Sequence, residues 1–201
     1  MAKVKNTKNE LKAQRDAQKR YERYLPTLQL KQQQLQAEVR QVEHKLEECE
    51  RRERDLIEAS ARWIALFSDG VDFAPWVSVT ALRVEAQNIA GVQIPVLRTV
   101  EIARKEPSLL DSPTWHDDAL DLLADILRLH CERRVLREQF RLLSDELRVT
   151  NQRVNLFERV KIPECKDAIR KIRIALGDAM TLDVARGKIA KGRAVERGTS
   201  Q

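Results

Sequence analysis

Apolar residues recur at every seventh position from Tyr21: Tyr21, Leu28, Leu35, Val42, Cys49, Leu56 and Trp63. Between them the second seam position alternates in character. Leu25, Val39, Leu46 and Phe67 are apolar, whereas Gln32, Glu53 and Ser60 are not. A second stripe follows later, with Ala119, Leu122, Ile126, Leu129, Leu136, Phe140, Leu143, Leu147, Val154 and Phe157 at alternating steps of three and four. A seven-residue repeat sustained this long is the pattern that winds two helices about each other. Two such stripes separated by a short insert predict a chain that folds back on itself. The expected fold is mainly α: a long antiparallel two-helix coiled coil, with a short β-hairpin insert at the end distal to the termini.

The pattern also sets boundaries. A coiled-coil helix is expected over 1–67, its helical part from about Thr7 to Phe67, with a kink at Pro26 because proline has no N–H to give. Ser68-Asp69-Gly70 ends it. Residues 68–112 form a loop and a hairpin, with strands predicted at Val77–Ile89 and Val92–Val100 from their β-branched residues. Pro95 is expected on an exposed edge. A lone hairpin is marginal and must lean on the helices or on a partner. Ser112 and Pro113 read as a helix start. The second coiled-coil helix is predicted over 113–186, broken near Ile162-Pro163, where its repeat shifts by one residue and resumes as Ile162, Cys165, Ile169, Ile172, Leu176 and Ala179. Opposing Phe67 to Trp115 makes paired positions sum to about 182 and brings Pro26 and Pro163 to nearly the same level. Residues 187–201 read as a flexible basic tail.

Composition supports this picture. Of 201 residues, 34% are charged and only 4% aromatic, which suits a thin apolar seam under a wide solvated surface. No apolar run is long enough to span a membrane, and the first residues lack the apolar core of a signal peptide. A cytoplasmic protein without direct membrane insertion is expected. Cys49, Cys131 and Cys165 show neither CxxC nor His-paired spacing, so three reduced, inert thiols are expected, with Cys131 on the outward face. The net charge of +6 is unevenly placed. Residues 1–25 carry eight Lys/Arg and three acids; residues 184–201 carry five and one. Folding back brings both basic ends to one pole.

Motifs for chemistry are missing. Gly187-Lys188 is followed by Ile189 and lacks the glycine spacing of a phosphate loop. His116-Asp117-Asp118 reads better as acids in a first helical turn than as a metal pair; no catalytic residue, metal site or cofactor is expected. The basic residues near the start are interleaved with acids and have only Tyr21 and Tyr24 beside them, so an electrostatic socket in a protein is favoured over nucleic acid.

Three segments carry a family resemblance. Asn88-Ile89-Ala90-Gly91-Val92-Gln93-Ile94-Pro95 resembles the hairpin segment of the D subunit of V-type (V/A-type) ATPases. Arg153-Val154-Asn155-Leu156-Phe157-Glu158, followed by Ile162-Pro163, is similar to that family's C-terminal signature. Leu28-Gln29-Leu30-Lys31, ending at Leu35, is similar to its early Leu-Leu-Lys segment. Departures occur at Tyr21-Glu22-Arg23-Tyr24, Gln32, Gln33, Leu156-Phe157 and the Gly-rich close; they suggest a divergent bacterial branch.

The resemblance implies a non-catalytic rotor axle, the central stalk of a V/A-type ATP synthase or ATPase. Such a stalk couples ATP turnover in a hexamer of catalytic and regulatory A and B subunits to ion (hydrogen ion or sodium) transport. The implied partners are that hexamer, the small F subunit of the stalk and the socket protein on the membrane ring; the complex is peripheral to the membrane on its cytoplasmic side. Lys8, Lys12, Arg15, Lys188, Lys191 and Arg193 are the expected hexamer contacts. Gly91, Val92, Ile94 and Pro95 are the expected contacts of the stalk partner. The competing expectation is a cytosolic coiled-coil scaffold or adaptor.

Overall fold

The fold is taken from a computed structural model, which describes residues 5–61, 75–105 and 115–198, with side chains to 193 in the last stretch. The elements run α1 (Lys8–Ser60), β1 (Val77–Ile89), β2 (Val92–Arg104), α2 (His116–Asn155), a π-helical stretch (Leu156–Lys161) and α3 (Ile162–Gly198). Contacts divide them into two compact units: 1–30 with 150–201, called the terminal unit here, and 31–149, called the hairpin unit. The helical hairpin with its β insert is as the apolar pattern predicts. The expected break at 68–70 and the Ser112-Pro113 start lie outside the described residues.

The hairpin unit is built on the seven-residue repeat. Leu35, Val42 and Cys49 of α1 and Leu129, Leu136 and Leu143 of α2 are buried in one core with Ile94. Both trios step by seven. Their antiparallel register matches Leu35 with Leu143, Val42 with Leu136 and Cys49 with Leu129, each pair summing to 178. The last match is direct, since the Cys49 thiol donates to the Leu129 carbonyl at 3.5 Å. The register is therefore four residues, about one helical turn, from the expected 182. Each leucine sunk in this seam contributes about 1.5–3 kcal/mol.

Polar seam positions are filled by cross-helix pairs. Glu53, at an inward position, meets Arg133, and both side chains are only 19% exposed. Arg52 reaches Glu132 at 3.2 Å, and Lys31 reaches Glu146 at 2.7 Å. Glu132 thus faces α1, and Cys131 beside it, expected on the outward face, is half-buried.

The two strands pair antiparallel from Val77↔Arg104 to Ile89↔Val92. β2 runs four residues beyond the expected Val100. Two irregularities offset one another: Thr80 is extra on β1 and Arg98 is extra on β2. The Thr80 hydroxyl donates to the Glu101 carbonyl at 3.0 Å. A two-residue turn closes the ribbon, with Ala90 at φ +50° and Gly91 at φ +83°. Both residues of such a turn need positive φ, which glycine accepts freely and alanine at a cost. The Gly91 amide donates to Asn88 Oδ1 at 2.9 Å. The ribbon leans on the helices, as a lone hairpin must. Val77 packs with Leu120 and Ala124 near its root, and Ile94 enters the seam core near its tip. Pro95 is not on an open edge: it is half-buried, and its carbonyl accepts a 2.5 Å hydrogen bond from buried Gln139. Proline tolerates this place because its missing N–H is needed by no third strand.

In the terminal unit, α1 begins with a capping threonine. Thr7 Oγ1 accepts from the Glu10 amide at 3.2 Å, the arrangement that satisfies a free first-turn donor. Pro26 does not end α1, which continues through it to Ser60. The break expected at Ile162-Pro163 is instead a π-helical stretch. The Ile162 amide bonds to the Phe157 carbonyl, five residues back. A π turn holds one residue more than an α turn, so the one-residue shift in the repeat is absorbed without loss of helix. Val154 precedes it, and Ile162, Cys165, Ile169 and Ile172 follow it, all buried. Tyr21 and Phe157 stack with ring centres 5.0 Å apart, again summing to 178. Past Leu176 the seam stops: Ala179, expected to continue it, is exposed. α3 nevertheless runs beyond the expected Arg186 boundary, through Gly187 and Gly192. Residues such as Ala, Lys and Arg sustain a helix without packing.

Two outcomes are expected. Glu53→Ala leaves the half-buried Arg133 guanidinium without its carboxylate and lowers stability by about 1–2 kcal/mol in urea unfolding, whereas Glu53→Leu combined with Arg133→Leu recovers most of it. Gly91→Val forces a β-branched residue into positive φ at about 1–2 kcal/mol; strand amides should exchange faster while the helical circular dichroism is unchanged.

Candidate partner interfaces

The residue chemistry of the two units differs. The terminal unit carries 20 Lys/Arg against 9 Asp/Glu, a balance of +11; the hairpin unit carries 17 against 22, a balance of −5. The hairpin unit uses its cations internally. Arg137–Glu50, Arg52–Glu132 and Lys31–Glu146 join its helices, and Arg104 joins β2 to Asp117 and Asp121 in the first turns of α2. The acids of His116-Asp117-Asp118 thus include a clamp for Arg104, while His116 is buried with its ring edge-on to Trp76 at 5.5 Å. In the terminal unit, the ion pairs among the described residues are Lys161–Glu164 at 3.2 Å and Arg186–Asp183 at 3.5 Å, both within one helix. Acids of α1 are tied to amides instead: Gln14 donates to Glu10 at 2.9 Å, and Gln18 to Glu22 at 2.8 Å.

The sequence-predicted hexamer contacts divide into two sets. Lys8, Lys12 and Arg15 are exposed in the first turns of α1, and Lys188, Lys191 and Arg193 are exposed near the end of α3. They share a unit, and the second set belongs to the last stretch of α3. That stretch is exposed at every position from Gly177 to Arg193. It carries Met180, Leu182, Val184 and Ile189, each 55–60% exposed. These apolar residues, absent from the sequence-predicted set, were legible as a break in the three-four repeat after Leu176.

The predicted contacts on the hairpin are redistributed. Gly91 is open at the turn, but Val92 packs on the seam core, Pro95 faces Gln139, and Ile94 is 2% exposed. Ile94 is spent on the intramolecular core and offers no surface. The open apolar surface lies on β1 instead: Val79, Leu82 and Val84 are 38–43% exposed. They pair across the ribbon with Ile102, Val100 and Leu97, giving three apolar rungs that alternate with Ala81↔Glu101 and Arg83↔Thr99. The signal for them was the spacing of three between Val79 and Leu82, the mark of the extra residue at Thr80. Arg83–Glu101 at 3.2 Å and Arg98–Glu85 at 2.7 Å neutralise charges elsewhere on the same stretch.

Comparison with known proteins decides the family. The sequence pattern of the family described as the D subunit of ATP synthase matches residues 10–192. The chain belongs to this ATP synthase D-subunit family. It is 42% identical over 197 residues to the V-type ATP synthase D subunit of Borreliella burgdorferi, covering 98% of each chain. It is 35% identical over 196 residues to that of Chlamydia pneumoniae, covering 94% of this chain and 91% of the relative. To that of Chlamydia muridarum it is 36% identical over 193 residues, covering 94% of each. Among the described residues no helix is long and apolar enough to cross a membrane.

Family membership leaves the cysteines as local chemistry. Burial pushes the thiols of Cys49 and Cys165 above the ordinary range, with Glu132 and Glu164 respectively adding to the effect. Thiolate is the reactive form. At pH 8, half-buried Cys131 should therefore alkylate first with iodoacetamide. Cys49 and Cys165 should lag by about tenfold or more, and gain rate as pH rises further, when labelling is followed by mass.

Proposed function

We propose that the chain is the central stalk, or rotor axle, of a V/A-type ATP synthase or ATPase, without an active site of its own. In this reading it couples ATP hydrolysis or synthesis in a hexamer of A and B subunits to ion translocation. The observation that carries the proposal is the end of α3, which is helical yet unsupported by any seam and studded with exposed apolar and cationic side chains. Four apolar residues at that exposure within about three helical turns, Met180 to Ile189, are costly in water and suit a surrounding protein wall. A seam of seven-residue repeats on the other residues gives the stiffness that transmission of torque requires.

Lys8, Lys12, Arg15, Lys188, Lys191 and Arg193 then meet the hexamer, joined by Met180, Leu182, Val184 and Ile189. The hairpin holds the small F subunit of the stalk through Gly91 and the rungs at Val79, Leu82 and Val84. A socket protein on the membrane ring completes the stalk, and the chain sits peripheral to the membrane on the cytoplasmic side. A family match over residues 10–192 supports this reading over an unrelated scaffold or a nucleic-acid-binding rod.

Reconstitution tests it. The purified chain alone should show no ATPase activity, and adding it to a hexamer and membrane sector lacking it should restore ATP-driven ion transport. Full coupling without the chain would overturn the proposal. A chain ending at Arg186 should keep its seam but bind the hexamer about tenfold or more weakly, the scale expected when anchor residues are removed.

A further inference from the structure

The terminal unit carries a groove of about 490 Å³, lined by Gln18 of α1 and by Lys166, Ile169, Arg170, Arg173 and Ile174 of α3. Positions 166, 170 and 173 share one helical face, so the three cations form a row. Ile169 is buried beneath it and Ile174 is 57% exposed at its end. No carboxylate lines the groove. The ion pairs of this unit among the described residues engage none of the three cations. Glu22, one turn along α1 from Gln18, accepts from it instead, and Asp167, three residues before Arg170, forms no ion pair with it among the described residues. Rows of cations on the hairpin unit are met by acids from the facing helix; this row is not.

We propose that this groove docks an acidic segment of a partner protein, its carboxylates on Lys166, Arg170 and Arg173 and one apolar side chain against Ile169 and Ile174. Charge complementarity selects the occupant: guanidinium forks pair best with planar carboxylates. No aromatic ring lines the groove, so it lacks the stacking platform that single-stranded nucleic acid uses. The isoleucines give an apolar footing that a polyphosphate chain would leave unused. The inference rests on the central-stalk reading, in which the occupant belongs to one of the hexamer proteins surrounding the axle. Because the cations are exposed, they contribute more to the rate and specificity of encounter than to raw affinity.

The test uses the reconstituted complex. A photoreactive benzoylphenylalanine placed at Ile174 should crosslink to a hexamer segment bearing several Asp or Glu around an apolar residue, identified by mass. Combined Lys166→Glu, Arg170→Glu and Arg173→Glu should slow association with the hexamer by about tenfold or more at low salt and flatten its salt dependence. Helical circular dichroism should be unchanged. The milder Lys166→Gln, Arg170→Gln and Arg173→Gln set should give an intermediate loss. Crosslinking to a segment without carboxylates, absence of any crosslink, or unaltered association in the reversal variant overturns the groove assignment while leaving the stalk reading intact. Failure of the unsubstituted chain to restore coupling overturns the stalk reading itself.

Discussion

Each part of this chain depends on a seam that repeats every seven residues. Leu35, Val42 and Cys49 bury the same stripe of α1 that Leu129, Leu136 and Leu143 bury on α2, and the two trios stay in step over two heptads. Seven residues per two turns is what keeps a stripe facing its partner as both helices advance. With the seam fixed, the rest has little choice. The β-ribbon has no core of its own and must place Ile94 and Val77 on the helices. Polar residues at seam positions must find partners across it, and Glu53 and Arg133 do so. A lone charge at that depth would be strongly unfavourable, while the pair itself adds little over two apolar residues. The seam therefore sets where charge is tolerated as well as where apolar area is buried.

Keeping the stripe aligned after Phe157 requires a second device. The residues between Phe157 and Ile162 are one too many for an α-helical step, and Pro163 cannot donate to the carbonyl four residues before it. The π-helical stretch answers both. Closing the bond from Ile162 to Phe157 takes up the extra residue, and widening the turn just ahead of Pro163 relieves the crowding a proline ring imposes on the preceding turn. Without that widening, Ile162, Cys165, Ile169 and Ile172 would each be rotated by about 100° out of the stripe. Proline and insertion are thus matched defects, and together they leave a continuous buried face.

The helices, the ribbon and its turn were legible because they rest on periodicity and on Ala90-Gly91, both local signals. The register was off by one turn because Phe67 and Trp115, taken as opposites, bound an insert of 47 residues whose path no periodicity specifies. The position of Ile94 was missed for a related reason. An apolar residue on a strand reads alike whether it meets a partner or its own helices, and only the path of the ribbon along α2 distinguishes them. The boundary at Arg186 followed glycines, yet Gly187 and Gly192 sit inside a helix. One glycine costs about 1 kcal/mol against alanine, too little to end a helix among good helix formers. The sequence-predicted cations were real surface groups. What the charges alone did not mark was the run of exposed apolar residues beside Lys188, Lys191 and Arg193, which only the end of the repeat after Leu176 signals.

Charge segregation gives the architecture its direction. The hairpin unit, at −5, has spent cations on cross-helix and strand-helix pairs; the terminal unit, at +11, shows no cross-helix pair among the described residues. Internal pairing needs an acid within reach on the neighbouring element, and α1 from Lys8 to Leu30 offers α3 only Glu10, Asp16 and Glu22, two of them already held by glutamines. Self-repulsion of this kind opposes compaction, and the unit accommodates it by letting α3 stand apart from any seam after Leu176. A helix that is both cationic and apolar-studded is poorly suited to bulk water and well suited to a wall carrying carboxylates between apolar patches. Such a wall attracts the helix at long range without fixing it through many short bonds, because exposed ion pairs are individually weak and interchangeable. In the proposed stalk role, an element met in turn by successive neighbours needs that combination, and a helix end sealed by buried salt bridges would lack it.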